Sequence, residues 1–200
     1  MESIFEIIFY IIFSYLLGSV LLGYFIARLL KKKDFGKKDL PGTAGTFRQL
    51  GLIPAFLVLL FDFIKGFLVP WVGTLLGLPQ LMMIVASFAV ISGHNWPLFF
   101  GFSKGGGGII TSLGAAIFLF PREAIIALCI AVLGVILYQL WIKKIFPISK
   151  SPFPFAMAIG VIVLIILALF FKKETSFLIF ALGLGAISLI KLIQLKLKEK

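Results

Sequence analysis

The chain is short of the residues on which many enzymes rely. It has one cysteine and one histidine in 200 residues. The single thiol, Cys129, lies inside an apolar run, so an intrachain disulfide is excluded. The single imidazole, His94, excludes a multi-histidine metal cluster within one chain. No metal or other cofactor is expected. Acidic residues are scarce too: 8 Asp and Glu stand against 19 Lys and Arg, a net charge of +11. There is no evident internal repeat and no coiled-coil heptad pattern. The basic residues sit at the ends of apolar runs without an aromatic-basic stripe, so nucleic acid is not an expected partner.

What the chain has in excess is apolar surface. Hydrophobic residues make up 61% of it, and the mean hydropathy is +1.16. A soluble domain is nearer half apolar. The apolar residues come as solid blocks close to the ~20 residues needed to cross a bilayer. Solid rather than alternating blocks indicate helices. The expected fold is therefore an all-α integral membrane protein, a single transmembrane domain of seven helices. The spans fall at about 4–30, 53–76, 81–100, 109–120, 124–142, 155–171 and 176–195. The first run is too long for a signal peptide, and Glu2 and Glu6 replace the basic start that a signal needs. It is read as a retained helix.

Charge placement gives an orientation. Putting the 31–51 loop on the cytoplasmic side assigns 14 Lys and Arg to that side and 3 to the other. That bias predicts the N-terminus outside and the C-terminus inside. Membrane lipids are the expected surroundings.

Two polar stretches then share the cytoplasmic side. One is Gly101–Thr111, Gly-Phe-Ser-Lys-Gly-Gly-Gly-Gly-Ile-Ile-Thr. Gly105, Gly106, Gly107 and Gly108 offer N–H groups with no side chain in the way. Lys104 precedes them, and an apolar run, Ile109–Phe120, which includes Thr111, follows. Glycine-rich backbone feeding a helix N-terminus suits an anion, and a lysine beside it suits a phosphate. A flexible hinge is the plainer reading of the same glycines. The other stretch is Pro41-Gly42-Thr43-Ala44-Gly45-Thr46-Phe47-Arg48. It reads either as a solvated loop beside lipid headgroups or as a second wall of an anion site. In the second reading Gly42, Thr43, Gly45 and Thr46 line the wall and Arg48 clamps a phosphate.

Three further residues lie within spans. Asp62 and Lys65 are three apart and share a helix face. Charges inside a membrane usually face the interior and pair. They fasten the bundle as an ion pair, or one of them lines a cavity. His94 either positions a loop by hydrogen bonding or acts as an acid/base.

These residues carry a resemblance. Gly18-Ser19, Asp62-Phe-Ile-Lys65-Gly66, Gly93-His94 with Pro97, and the Gly101–Thr111 loop look like four patches of the bacterial acyl-phosphate:glycerol-3-phosphate acyltransferases. These are seven-helix membrane enzymes of phospholipid synthesis with the N-terminus outside. The resemblance spans most of the chain. It departs at Ser103, an extra residue in the glycine loop, and at Gly107, where the family has a second lysine. In the first loop, Pro41 and Thr43 replace a serine and an asparagine. The family's C-terminal His-Arg-x-Asn cluster is absent, leaving Ser188, Lys191 and Gln194 as the polar residues near that place.

The resemblance implies transfer of an acyl group from acyl phosphate to glycerol 3-phosphate, giving lysophosphatidate, at the cytoplasmic face of a bacterial inner membrane. It implies Arg48, Lys104 and His94 as the catalytic set. A lipid-phosphate binder of the same fold that has lost catalysis, or a small organic-anion transporter, would share many of these features. No inverted repeat supports transport.

Overall fold

The computed structural model describes residues 4–32, 35–36, 39–102, 104–142, 153–170 and 174–198. The described residues are helical apart from short connections, as apolar runs that must satisfy their own backbone require. They divide into two compact units, Met1–Leu119 and Phe120–Lys200. Ser103, Lys143, Lys144, Lys150, Lys172 and Lys173, and most of the proline-punctuated 147–154 loop, lie outside the described residues.

In the first unit, α1 (Ile4–Ser19) and α2 (Leu22–Leu29) occupy the first expected span. The run is broken at Val20–Leu21, where the bonding tightens to Val20 N–H on the Leu17 carbonyl at 3.2 Å. A short helix, α3 (Thr43–Leu50), leads through Gly51 into α4 (Leu52–Leu75). Gly51 has φ +92°, a value that favours glycine. Pro54 sits in the first turn of α4, where a missing N–H costs nothing, whereas Pro70 lies inside the helix. Next come α5 (Gln80–Asn95), a single 3₁₀ turn at Leu98–Phe100, and α6 (Ile109–Leu119).

Two helix pairs hold this unit together through small residues. α1 meets α5 where Gly18 lies against the Val90 backbone and Gly93 against the Tyr15 carbonyl. α4 meets α6 where Gly66 lies against the Thr111 carbonyl and Gly114 against that of Phe63. Such contacts bring backbones closer than larger side chains permit. Hydroxyls add cross-links: Tyr15 donates to the Trp96 carbonyl at 2.6 Å, and Leu98 N–H donates to Ser19 Oγ at 3.2 Å.

The second unit holds α7 (Pro121–Leu137), which ends in a π turn at Tyr138–Ile142, then α8 (Phe153–Phe170) and α9 (Thr175–Lys198). α8 packs on both α7 and α9. Phe120 sits between Phe177 and Phe180, with ring centroids 4.8 and 5.3 Å away. Glu123, Tyr138 and Lys191 are buried in this unit.

Five helical segments are long and apolar enough to cross a membrane: Ile4–Leu29, Leu52–Leu75, Gln80–Phe100, Pro121–Leu140 and Thr175–Leu195. Two more apolar helices, Ile109–Leu119 and Ala158–Phe170, are shorter. The seven expected runs are thus all helical, five of them at spanning length. α6, with 11 residues, reaches roughly 17 Å at 1.5 Å per residue.

The α4–α6 contact is testable. A valine at position 66 would meet the Thr111 carbonyl. Gly66→Val is expected to cost about 1–3 kcal/mol, the usual penalty of overpacking. A thermal melt in detergent with an unchanged midpoint would refute that contact.

Candidate functional site

The site begins at the break between α1 and α2. A broken helix leaves carbonyls without intrahelical donors, and in an apolar interior these need other partners. Lys65, buried to 1% exposure on α4, supplies them. Its Nζ lies 3.2 Å from the Gly18 carbonyl and 3.1 Å from that of Val20. It also lies 2.9 Å from Asp62 Oδ1 and 2.9 Å from His94 Nδ1. His94 Nδ1 is 3.4 Å from the same Asp62 oxygen. The expected Asp62–Lys65 pair therefore forms and takes in His94 of α5 as a third member. The Phe61 ring lies under the ammonium, 5.5 Å from Nζ to its centroid.

The glycine loop is built against the end of α5. Gly106 N–H donates to the His94 carbonyl at 3.1 Å. A β-carbon on Gly105 would fall on the Asn95 and His94 carbonyls, and one on Gly106 would fall on His94 Nε2. One on Gly108, whose φ is +73°, would meet the Asn95 side chain. At Gly107 there is open space. Three glycines thus pack against His94–Asn95, and the fourth is the open position. Lys104 is exposed. Its carbonyl accepts a hydrogen bond from the Tyr24 hydroxyl of α2 at 3.3 Å. Tyr24 stacks on Phe100 at 4.4 Å and meets Phe35 edge-on at 5.4 Å.

The first loop comes to the same place. A β-carbon on Gly42 would have Gly106 Cα as its nearest neighbour, 3.9 Å away. The two glycine-bearing stretches, 64 positions apart, face each other directly. Gly45 is needed for close approach, since a β-carbon there would strike the Leu40 carbonyl. The three remaining first-loop candidates differ. The Thr46 hydroxyl donates to the Pro41 carbonyl at 3.3 Å, so its hydrogen is spent on the turn. Thr43 Oγ1 is buried and has no hydrogen-bond partner among the described residues, and the same holds for Thr111 Oγ1 in the first turn of α6. Arg48 is engaged through Nε and Nη2 by the Asp39 carboxylate, with Nη2 2.9 Å from Oδ1. That contact raises the Arg48 pKa above its usual value.

Sequence reasoning passed over Asp39, Tyr24 and Asn95. Asp39 is nine positions from Arg48 and Tyr24 is eighty from Lys104. Neither separation is a helical spacing, so no local pattern announced them. Asn95 adjoins His94, and its place between the glycines follows only from the loop's return. Among the described residues no cluster of His, Cys, Asp and Glu could hold a metal ion.

The comparisons with known proteins give the family. The family model described as glycerol-3-phosphate acyltransferase matches residues 8–196. A glycerol-3-phosphate acyltransferase of Shouchella clausii is 35% identical over 184 residues, covering 90% of this chain and 85% of the relative. Glycerol-3-phosphate acyltransferase 2 of Deinococcus radiodurans is 34% identical over 169 residues, covering 82% and 85%. The crystal structure of PlsY (YgiH), an integral membrane glycerol 3-phosphate acyltransferase, in its glycerol 3-phosphate form, superposes with a TM-score of 0.74 at 27% identity. It covers 93% of this chain and 88% of that one. The lysophosphatidic acid form of PlsY gives a TM-score of 0.72. The chain belongs to the glycerol-3-phosphate acyltransferase family.

Proposed function

We propose that the chain transfers an acyl group from acyl phosphate to the 1-hydroxyl of glycerol 3-phosphate, at the cytoplasmic face of a bacterial inner membrane. The observation that carries this reading is the meeting of Gly42 with Gly106, flanked by the buried, unpartnered hydroxyls of Thr43 and Thr111. Buried hydroxyls are normally satisfied. Two left over beside glycine backbone suit anions, and the reaction brings two phosphates. The solved PlsY structures are named for a glycerol 3-phosphate form and a lysophosphatidic acid form, which fit acceptor and product.

The step balances without a covalent intermediate on the protein. The acceptor oxygen forms a bond to the acyl carbonyl carbon. The bond from that carbon to the phosphate oxygen breaks, and phosphate leaves. The hydroxyl proton goes to a phosphate oxygen, giving lysophosphatidate and hydrogen phosphate. Positioning and stabilisation of developing charge supply the acceleration. Glycine-loop N–H groups, Lys104 and Thr111 take one phosphate. Thr43 and Arg48 take the other, with Arg48 using Nη1 or leaving Asp39. The same reading counts all seven apolar helices as crossings, with the N-terminus outside, as the 14-to-3 charge bias supports. The short α6 then begins below the membrane surface, where irregular backbone persists if it lines a cavity.

The deciding experiment is phosphate release by the purified protein in lipid, given palmitoyl phosphate with and without glycerol 3-phosphate. Release that needs the acceptor, with lysophosphatidate formed, is the expected result. Bound acyl phosphate with no release would mark a lipid-phosphate binder instead.

Two variant pairs refine the site. Gly107→Ala points into open space and is expected to keep near-parental activity, whereas Gly106→Ala meets His94. The second should raise the KM of the substrate held by the loop by roughly tenfold or more, the size of a disturbed charge-assisted hydrogen bond. Equal effects at the two positions would refute the loop geometry. Thr111→Ser is expected to keep the activity that Thr111→Val loses by roughly tenfold. Equal kinetics for the two would show that the hydroxyl is idle.

A further inference from the structure

One aromatic side chain touches both polar stretches. The ring of Tyr24, on α2, stacks on Phe100 at 4.4 Å and meets Phe35 edge-on at 5.4 Å. Phe100 ends the 3₁₀ turn that leads into the glycine loop. Phe35 lies in the connection between α2 and α3. The Tyr24 hydroxyl donates to the Lys104 carbonyl at 3.3 Å. The same hydroxyl fills the place that a β-carbon on Gly36 would take. Gly36 has φ +77°, so both its conformation and its neighbour call for glycine.

Gly36 carries the connection on to α3. Its N–H donates to Gln49 Oε1 at 3.1 Å, and Gln49 Nε2 donates to the Gly45 carbonyl at 3.0 Å. A run of contacts thus leads from Lys104 through the Tyr24 hydroxyl, Gly36 and Gln49 to the helix that bears Thr43 and Arg48. The two stretches also meet at Gly42 and Gly106. One contact leaves two loops free to pivot, and a second removes the pivot. His94 and Asn95 brace Gly105, Gly106 and Gly108, and Tyr24 does the same for Lys104.

We propose that Tyr24 is a positioning residue that seats the Lys104 backbone through its hydroxyl and holds the first loop opposite through its ring. The Lys104 side chain is exposed, and lysine has a flexible four-carbon stem. Fixing the backbone from which it hangs lowers the ordering cost of binding a phosphate. The hydroxyl acts through Lys104 and not on substrate. The kinetic part of this inference rests on the acyl-transfer reading, and the hydrogen-exchange part does not.

Tyr24→Phe keeps both ring contacts and deletes the hydroxyl. It is expected to raise the KM of one substrate about threefold to tenfold, the range of one lost hydrogen bond, with kcat nearly unchanged. That substrate should be the one whose binding Lys104→Ala weakens. Tyr24→Leu also removes the ring contacts and should raise both KM values. A double-mutant cycle, read on dissociation constants for glycerol 3-phosphate and palmitoyl phosphate, needs no turnover. In a Lys104→Ala background, Tyr24→Phe is expected to change binding by less than about twofold, because the lysine it places is gone. The same fold loss in both backgrounds, or a phenylalanine variant with parental KM values, overturns the proposal. Hydrogen exchange by mass spectrometry of the full chain in lipid nanodiscs is the second arm. Tyr24→Phe is expected to speed exchange in the peptide carrying Gly105 and Gly106 by roughly threefold or more, while peptides of α4 keep the parent rate. An unchanged loop peptide, or faster exchange everywhere, overturns the proposal. An inactive parent would sink the acyl-transfer reading, and hydrogen exchange would still judge the role of Tyr24.

Discussion

The first unit depends on one buried cation. The Lys65 ammonium joins α4 to the break between α1 and α2, to its own Asp62, and to His94 on α5. In an apolar interior an isolated charge is too costly to keep, so the lysine and the aspartate are retained together or not at all. Losing either partner of such a pair typically costs about 3–5 kcal/mol, because the other is left stranded. What the pair contributes is position. Four contacts at close to 3 Å fix where three segments meet.

That position governs the glycine loop. The helix break and the lysine need each other: the break frees carbonyls that demand donors, and the ammonium demands acceptors. The break also separates α2 from α1, and Tyr24 of α2 reaches the Lys104 carbonyl. From the other side, His94 and Asn95 fill the spaces that side chains would take at Gly105, Gly106 and Gly108. The loop is therefore shaped by its neighbours, although four glycines alone would be floppy. Backbone N–H groups held in this way need little reorganisation when charge develops against them.

Sequence alone displayed the helices well, because a solid apolar run has few other uses than a buried or spanning helix. It displayed the Asp62–Lys65 pair because three-residue spacing puts both on one face. It hid the break at Val20–Leu21, where no proline marks the interruption and the compensating donor lies 45 positions away. It did not separate Thr46 from Thr43, since a hydroxyl that donates to the Pro41 carbonyl looks the same in a sequence as one without such a bond. It could not foresee that Asp39 would engage Arg48, because the turn that brings them together carries no spacing signal. The four loop glycines read as one run, and only the packing separates open Gly107 from its three enclosed neighbours.

Gly107 bears on whether the altered loop can still work. The family pattern that the loop resembles places a lysine there. A lysine at that point would attract a phosphate in the ground state and in the transition state alike. Losing such uniform binding raises KM and leaves the barrier from the bound complex unchanged. The same loss weakens the grip on the phosphate released in each turnover. Groups that meet charge only as it develops are the ones whose loss would lower kcat. The N–H groups of the glycine loop would hold a phosphate throughout, and here they keep their bracing by His94 and Asn95. The substitution thus removes a charge from the edge of the site and leaves its rigid part in place.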